Sequence, residues 1–187
     1  ITEYISKSFK KKNTCMLIFN KKLSVCPVTT HLPLKLVSKS INKKNIENKV
    51  VLIQKFYKKN FKKIPRIGLL GLNPHCESIL KYNEDEKIIR PIVLKMRKNG
   101  YKIKGPLSAD TIFLKNNRKN YDVIIGMYHD QVLTPIKTLF EYDAINITLG
   151  LPFLRISPDH GPNEKMMGKK LSSPLSLIKA IQFLDKH

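Results

Sequence analysis

The chain of 187 residues is 42% hydrophobic and carries a formal net charge of +21, which indicates a globular protein with one sizeable core. No apolar run approaches the roughly 18–20 residues of a membrane span, and residues 1–13 lack the features of a signal peptide. Three cysteines without CxxC spacing favour a reduced, cytoplasmic setting. Because the sequence does not start with Met, we expect it to begin inside a longer protein.

The positive charge raises the possibility of nucleic-acid binding, but its distribution argues against that function. The lysines are scattered over expected turns and helix faces, and no basic stripe alternates with stacking aromatic residues. We therefore expect no nucleic-acid partner and interpret the charge as a compositional bias on solvated surface. The alternatives are a basic nucleic-acid-binding module and attraction for an anionic ligand such as a phosphorylated substrate.

Hydrophobic periodicity predicts strands that alternate with helices, which is typical of an α/β fold with helices on the faces of a sheet. The helix at 44–62 has the clearest pattern, because Ile46, Val50, Ile53 and Phe56 recur at three- or four-residue spacing. In chain order, the predicted elements are a helix at 2–9, a hairpin of strands at 14–20 and 23–29, helices at 34–41 and 44–62, a buried strand at 66–72, a helix at 85–98, a strand at 122–127, a helix at 129–139, strands at 145–149 and 153–156, and a helix that begins with the N-cap pair Ser173–Pro174 and runs to about Asp185.

Three of the five histidines, His31, His75 and His129, each follow an expected strand. The carboxyl ends of strands are where α/β sheets bind ligands, and imidazole is the commonest ligand of a catalytic divalent metal. The sequence therefore predicts a metal-assisted enzyme. Two local alternatives stay open: His75 could cap the next helix, and Cys76 could be a further ligand or a small, partly buried residue.

Two aspartates accompany these histidines. Asp130 follows His129 directly and could orient its imidazole, bind the metal or act as a base. The alternative is a first-turn acid that stabilises a helix N-terminus. Asp110 could be a second carboxylate near the metal, or a helix N-cap.

A further set of polar residues lies among apolar neighbours: Lys137, Asn146 and Arg155. A buried Arg needs a partner, and a phosphate or carboxylate fits its planar fork, while an internal salt bridge is the alternative. The Asp-His-Gly loop at 159–161 could bring backbone close to a nucleotide. No GxGxxG or Walker A sequence is present, so a bound nicotinamide cofactor would not use the Rossmann fingerprint.

The motifs TTHLPL, GLNPH, GPLSADT, MYHDQ, NITLGLPFLR and DHG together resemble, in this order, the 4-hydroxythreonine-4-phosphate dehydrogenase family. The resemblance runs over essentially the whole chain and covers the C-terminal part of the family's sequence. It implies an α/β fold related to the isocitrate and isopropylmalate dehydrogenases, with the N-terminal part of the family chain missing. Residues 1–150 would form a central α/β domain carrying the metal and dimer site, and residues 151–187 would return to the other, incomplete domain.

The resemblance implies NAD-dependent oxidation and decarboxylation of 4-phosphooxy-L-threonine to 3-amino-2-oxopropyl phosphate, in pyridoxine 5′-phosphate biosynthesis. It also implies a divalent metal (Zn, Mg or Co) and a cytoplasmic homodimer whose active site lies at the subunit interface. The alternatives are a dehydrogenase of a threonate or erythronate phosphate, and a non-catalytic fragment. By this resemblance, the metal ligands are His31, His75 and His129, the substrate-binding residues are Thr2, Lys137, Asn146 and Arg155, the catalytic residues are Asp110 and Asp130, and the cofactor-side residues are Asp159, His160 and Gly161.

The sequence departs from the family pattern at two places. Ile1 stands where the family has a His, so a substrate-contacting imidazole is absent. Residues 76–86 replace a Gly-rich stretch, which removes flexible backbone near the expected cofactor.

Overall fold

The computed structural model describes residues 4–5, 8–9, 13–76, 83–161, 164–169 and 171–186. Within them, seven strands form one sheet: β1 (Cys15–Phe19), β2 (Ser24–Pro27), β3 (Ile67–Leu70), β4 (Ile103–Leu107), β5 (Val123–Gly126), β6 (Ile145–Leu149) and β7 (Arg155–Pro158). The helices are α1 (Leu34–Ser40), α2 (Lys43–Phe61), α3 (Arg90–Lys98), α4 (Ala109–Ile112), α5 (Lys115–Arg118), α6 (His129–Phe140) and α7 (Leu175–Leu184), with 3₁₀ turns at Pro74–Cys76 and Glu164–Met166 and a π-helical turn at Asp85–Ile89.

The sheet has the strand order β4-β3-β5-β2-β1-β6-β7 and is mixed. The strands β4, β3, β5 and β2 run parallel, whereas β1, β6 and β7 each pair antiparallel with the strand before them in that order. The predicted hairpin is confirmed, with Ile18 opposite Val25. Helices and strands alternate along the parallel half, as the periodicity predicted.

Helices cover both faces of the sheet. On one face α1, α2, α3 and α7 pack against the larger core cluster, and on the other α4 and α6 pack against a second cluster. In α2, Ile46, Val50 and Ile53 are fully buried, which confirms the predicted apolar face. Each such aliphatic side chain stabilises the fold by roughly 1.5–3 kcal/mol through its burial. Asn42 caps this helix by accepting the backbone N–H of Asn45 at 2.9 Å.

Three elements were not predicted: β4, α4 and α5. Strand β4 is an edge strand that contains Gly105 and Pro106 and is mostly half-buried, so it shows neither an apolar run nor a clean alternation. The helices α4 and α5 have only four residues each, too few for a periodic pattern.

Other elements differ in detail from the prediction. The helix predicted at 85–98 starts with the π-helical turn and becomes α-helical at Arg90. Strand β7 begins at Arg155 instead of 153. Helix α7 begins at Leu175, with Pro174 in the N-cap position, so the predicted cap is wrong by one residue.

The predicted helix at 2–9 lies partly outside the described residues, although the Phe9 N–H donates to the Ile5 carbonyl with helical spacing. In the part of the chain that the structure covers, no helix combines the length and apolar character needed to cross a membrane. Residues 151–187 contribute β7 to the common sheet through its pairing with β6. The division between residues 1–150 and this segment stays a prediction.

Candidate active site

The predicted site residues collect at the carboxyl ends of the parallel strands. His31 follows β2, His75 follows β3, Asp110 follows β4 and His129 follows β5. Because these four strands are parallel neighbours, their carboxyl ends share one edge of the sheet. This edge is where ligands bind in α/β sheets.

His31 and His129 form one group at this edge. Their ring centroids lie 5.8 Å apart with an angle of 38° between the planes. With metal–nitrogen bonds of about 2.0–2.1 Å, two imidazoles bound to one tetrahedral ion have centroids roughly 5 Å apart. The two rings lie within about 1 Å of that spacing, so a small movement of the side chains would let one divalent ion bind both.

The orientation of His129 is set by its neighbour in sequence. His129 is the first residue of α6, and its Nδ1 lies 2.6 Å from Asp130 Oδ1. Because Asp130 holds Nδ1, Nε2 is the ring nitrogen of His129 that could bind a metal ion. Asp130 also lies in the first turn of α6, where an acidic side chain stabilises the helix N-terminus. It can therefore stabilise the helix and orient His129 at the same time.

His75 and Asp110 form a second group. His75 has left-handed backbone angles, φ 55° and ψ 13°, and its Nδ1 lies 3.6 Å from Asp110 Oδ2. The hydroxyl of Ser108 donates to the other Asp110 oxygen at 2.5 Å, and it is Ser108 that occupies the N-cap position of α4. This hydrogen bond, with the nearby His75 as a lesser cause, lowers the pKa of Asp110. Asp110 is thus an ionised first-turn acid.

Among the described side chains, no three His, Cys, Asp or Glu residues come close enough together to hold a metal ion. Within the described part of one chain, His31, His75 and His129 therefore do not form a three-ligand set. An open depression of about 550 Å³ connects the carboxylates of these groups, since both Asp110 and Asp130 line it. Tyr128, Gln131 and Thr134 complete much of the wall.

The residues Asn146 and Arg155 lie on one face at the antiparallel end of the sheet. In the register of β6 and β7, Asn146 is opposite Ser157 and Thr148 is opposite Arg155, so these four side chains share a face. Arg155 donates to Thr148 Oγ1 at 3.0 Å. Asn146 Oδ1 is buried and has no hydrogen-bond partner among the described residues. A buried carbonyl oxygen in that state is a position where a donor group of a ligand would be accepted.

Lys137 lies on α6 and is held by the loop after β7. Its Nζ is 2.8 Å from Asp159 Oδ2 and also donates to the Asp159 carbonyl. Burial raises the pKa of Asp159, an effect that the Lys137 ammonium opposes. The backbone N–H of Asp159 is held by Ser176 Oγ at 2.8 Å, so α7 also fixes this pair.

The remaining predicted positions are less constrained. His160 and Gly161 are exposed beside the buried Asp159, and a side chain at Gly161 would meet open space. Thr2 lies outside the described residues. Cys76 is buried, which agrees with the interpretation of this residue as a small packed side chain and not as a metal ligand.

Two residues that position the loops of the candidate site were not predicted from the sequence, and the first is Asp85. Asp85 is fully buried, and its carboxylate accepts the backbone N–H groups of Leu72 and Asn73 at 2.7 and 3.0 Å. It also accepts the side-chain amide of Asn73 at 2.8 Å. This carboxylate therefore fixes the loop that carries His75. The one sequence signal for Asp85 is that it lies in segment 76–86, which departs from the family pattern.

A second missed residue is Gln131. Its side-chain N–H donates to the Gly71 carbonyl at 2.8 Å, and its carbonyl accepts the Met127 N–H at 2.7 Å. One side chain thereby joins the loops that carry His75 and His129. Nearby, Thr29 donates to the Met127 carbonyl at 2.7 Å and joins the loop of His31 to the same strand end.

The fold and these residues define an α/β protein with imidazole and carboxylate groups along the carboxyl edge of its sheet and cationic and amide groups beside it. The model of the family described as Pyridoxal phosphate biosynthetic protein PdxA matches residues 1–184, and the chain belongs to this family.

Named relatives give the same result. The 4-hydroxythreonine-4-phosphate dehydrogenase of Sulfurihydrogenibium sp. is 44% identical over 183 residues, which are 97% of this chain and 56% of that protein. The enzyme of that name from Aquifex aeolicus is 40% identical over 186 residues, 98% of this chain and 57% of its own length. The chain thus spans a little over half of the length of these relatives.

Solved structures match the fold. The 4-hydroxythreonine-4-phosphate dehydrogenase of Klebsiella pneumoniae has a TM-score of 0.82 and 33% identity, over 98% of this chain and 56% of that one. A terephthalate 1,2-cis-dihydrodiol dehydrogenase of Burkholderia xenovorans has a TM-score of 0.77 at 23% identity, over 99% of this chain and 60% of that one, and shares the fold.

Proposed function

We propose that this chain carries the metal-binding and substrate-binding part of an NAD-dependent dehydrogenase that oxidises and decarboxylates 4-phosphooxy-L-threonine to 3-amino-2-oxopropyl phosphate, in pyridoxine 5′-phosphate biosynthesis. The observation that carries the proposal is the close pair of His31 and His129 at the carboxyl edge of the sheet. Membership of the family and the names of the relatives support the same activity.

The proposed metal ligands are His31, His75 and His129, with His75 and His129 contributed by different copies of the chain. Among the described residues of one chain no three candidate ligands form a metal-holding set, which supports a site shared between two copies, and hence a homodimer. Imidazole nitrogens suit Zn or Co, whereas Mg prefers oxygen ligands, so Zn and Co fit a three-histidine site better than Mg. A bound divalent ion would lower the pKa of the substrate hydroxyl and stabilise developing negative charge.

Substrate anchoring is assigned to Lys137, Asn146 and Arg155. The guanidinium of Arg155 and the ammonium of Lys137 suit the phosphate and carboxylate of the substrate. A Lys ammonium has three N–H donors, and among the described residues the ammonium of Lys137 contacts the carbonyl and carboxylate of Asp159. The buried oxygen of Asn146 would accept a hydrogen bond from the substrate's amine or hydroxyl.

Proton removal is assigned to the two carboxylates. The pKa of Asp110 is lowered, first by the hydrogen bond from Ser108, so this carboxyl is ionised at neutral pH, and it faces the same depression as Asp130. A carboxylate in that depression can accept the proton of a substrate hydroxyl once the two are within hydrogen-bond reach. Asp130 additionally holds the ring of His129.

Further parts of the proposal rest mainly on the resemblance to the family. NAD would lie against the loop of Asp159, His160 and Gly161, where open space beside Gly161 leaves room for a ligand. The fold would be that of the isocitrate and isopropylmalate dehydrogenases, with the N-terminal part of the family chain supplying the rest of the cleft. We place the enzyme in the cytoplasm, in keeping with three free cysteines.

The test is turnover, measured as NADH absorbance with 4-phosphooxy-L-threonine, NAD and Zn²⁺, Co²⁺ or Mg²⁺. Both the 187-residue chain and a chimera that adds the unmatched part of the Aquifex relative would be assayed. NADH formation that is lost in His129→Ala supports the proposal. Activity on a threonate phosphate but not on 4-phosphooxy-L-threonine would contradict it, and so would an inactive chimera that folds and binds metal.

A further inference from the structure

A second cavity lies at the opposite edge of the sheet from the histidines. It is formed where β1 ends, where β5 and β6 begin, and where α2 and α7 come together. Its volume is about 490 Å³. Small-molecule sites in proteins have volumes of about 300–1,000 Å³, so this cavity has the size of a ligand site.

The floor of the cavity is aromatic. Phe19, Tyr57, Phe61 and Phe183 line it, and the ring of Phe19 stacks on Phe61 at a centroid distance of 5.5 Å and meets Phe183 edge-on at 5.2 Å. These rings are largely buried and hold one another in place, so the floor is rigid as well as apolar. A flat apolar ring would pack well against it.

The rim of the cavity is cationic. Lys63 is neutralised by Asp122 at 2.7 Å, and Lys179 approaches Asp143 at 3.4 Å. Three further lysines on the rim form no ion pair with any other residue in the described ranges: Lys21, Lys22 and Lys186. The rim therefore has an excess of positive charge above an apolar floor.

The turn that carries two of these lysines is fixed. Asn20 donates its side-chain amide to the Asp143 carbonyl and accepts the Lys22 N–H at 2.8 Å. The backbone under Lys21 and Lys22 is therefore held against the start of β6, which keeps the bases of these two side chains at the mouth of the cavity.

We propose that this cavity binds a small aromatic anion, that is, a planar ring system bearing a sulfonate, phosphate or carboxylate. The ring would lie on the Phe19–Phe61–Phe183 floor and the anionic group would reach Lys21 and Lys22 on the rim. The site is independent of the proposed dehydrogenase activity, because its residues lie at the other edge of the sheet.

Two fluorescent probes with nearly the same aromatic core test the proposal: 1-anilinonaphthalene-8-sulfonate and its neutral analogue N-phenyl-1-naphthylamine. Each is titrated into the 187-residue chain, and the fluorescence increase gives its Kd. We expect the sulfonate to bind roughly tenfold more tightly than the neutral probe, since its charge adds an ionic contact to the same apolar burial. Inorganic sulfate alone should compete only weakly, because it lacks the ring.

Two variants locate the binding. Gln182→Trp fills the cavity from α7, where Gln182 is exposed and lines it, and should abolish binding of both probes. Lys21→Gln with Lys22→Gln should reduce sulfonate affinity to that of the neutral probe, while the matched pair Lys58→Gln with Lys59→Gln, on exposed parts of α2 outside the cavity, should change nothing.

Three outcomes would overturn the proposal. Sulfonate binding that survives Gln182→Trp would place the probe elsewhere, for example on the exposed apolar side of α7. Equal affinities of the two probes for the wild-type chain would refute the anionic class. Loss of binding in His129→Ala would put the probe in the histidine site instead.

Discussion

Asn73 donates both its backbone N–H and its side-chain amide to one buried carboxylate oxygen, Oδ2 of Asp85, at 3.0 and 2.8 Å. The other oxygen of Asp85 accepts the Leu72 N–H at 2.7 Å. The segment 76–86, which departs from the family's Gly-rich pattern, thus supplies the group that holds the loop of His75.

Asp85→Ala should reduce the free energy of unfolding by about 2–4 kcal/mol, because it leaves two backbone N–H groups without acceptors in a buried place. The measurement is a urea unfolding curve followed by circular dichroism. Glu86→Gln is the matched control, since Glu86 is exposed and pairs with Arg90 on the surface, and it should change stability by less than about 0.5 kcal/mol. Equal effects of the two substitutions would refute the role given to Asp85.

Gln131→Ala should weaken zinc binding by about 10- to 100-fold, because the loops of His75 and His129 lose their common hydrogen-bonded link. The measurement is competition with a chromophoric chelator at constant pH. Gln182→Ala, on the exposed side of α7, is the control and should bind zinc as the wild type does. Unchanged zinc affinity in Gln131→Ala would show that the loops are positioned without this link.

Asn146→Leu should increase the free energy of unfolding by about 1 kcal/mol, because it removes a buried carbonyl oxygen that has no partner within the described residues. The same variant should raise the KM for 4-phosphooxy-L-threonine, since the proposed donor group of the substrate loses its acceptor. Thermal unfolding and turnover are measured side by side, with Ser157→Ala across the strand pair as control. A variant that is destabilised yet keeps its KM would contradict both expectations.

Asp122 should make stability depend on pH in the acid range. Burial acts to raise the pKa of this carboxyl, but hydrogen bonds from Arg66 and an ion pair with Lys63 outweigh it, so the pKa lies below its ordinary value. Since the folded pKa is the lower one, the contribution is present above about pH 4, the ordinary pKa of Asp, and is lost as the pH falls further.

The substitution Asp122→Asn should therefore reduce the free energy of unfolding by about 1–2 kcal/mol at pH 7, and the difference from wild type should shrink below about pH 4. Urea midpoints between pH 3 and pH 7 measure it. The exposed Asp185→Asn serves as control and should follow the wild-type curve throughout. A difference that grows toward low pH would contradict the assigned direction of the pKa shift.

The buried half of the fold was predictable because its elements bear apolar patterns of their own. Strands β3 and β5 are short apolar runs, and α2 shows helical spacing of Ile46, Val50 and Ile53. By contrast, β4 is defined by its pairing with β3, and its Gly-Pro step gives no strand signal. Edge strands of this kind are set by tertiary contacts.

The candidate site residues that the sequence predicted are those whose chemistry is unusual in its local setting, such as His31 and His129 after strands. Asp85 and Gln131 were missed because their partners, Leu72, Asn73 and Gly71, come from other segments of the chain. Nothing in a single sequence distinguishes such a carboxylate or amide from a solvated one. Positioning groups of this kind become visible only once the loops are brought together.

The central claim is that His75 and His129 of different copies complete one metal site, and mixing two inactive variants tests it directly. His75→Ala and His129→Ala are each titrated with Co²⁺, followed by visible absorbance, and then mixed in equal amounts under conditions that exchange subunits. Each variant alone should bind no cobalt at the site, whereas the mixture should recover about a quarter of the wild-type signal, since half of the dimers hold one intact site of two. A mixture that recovers no signal, while exchange is verified, would contradict the shared site.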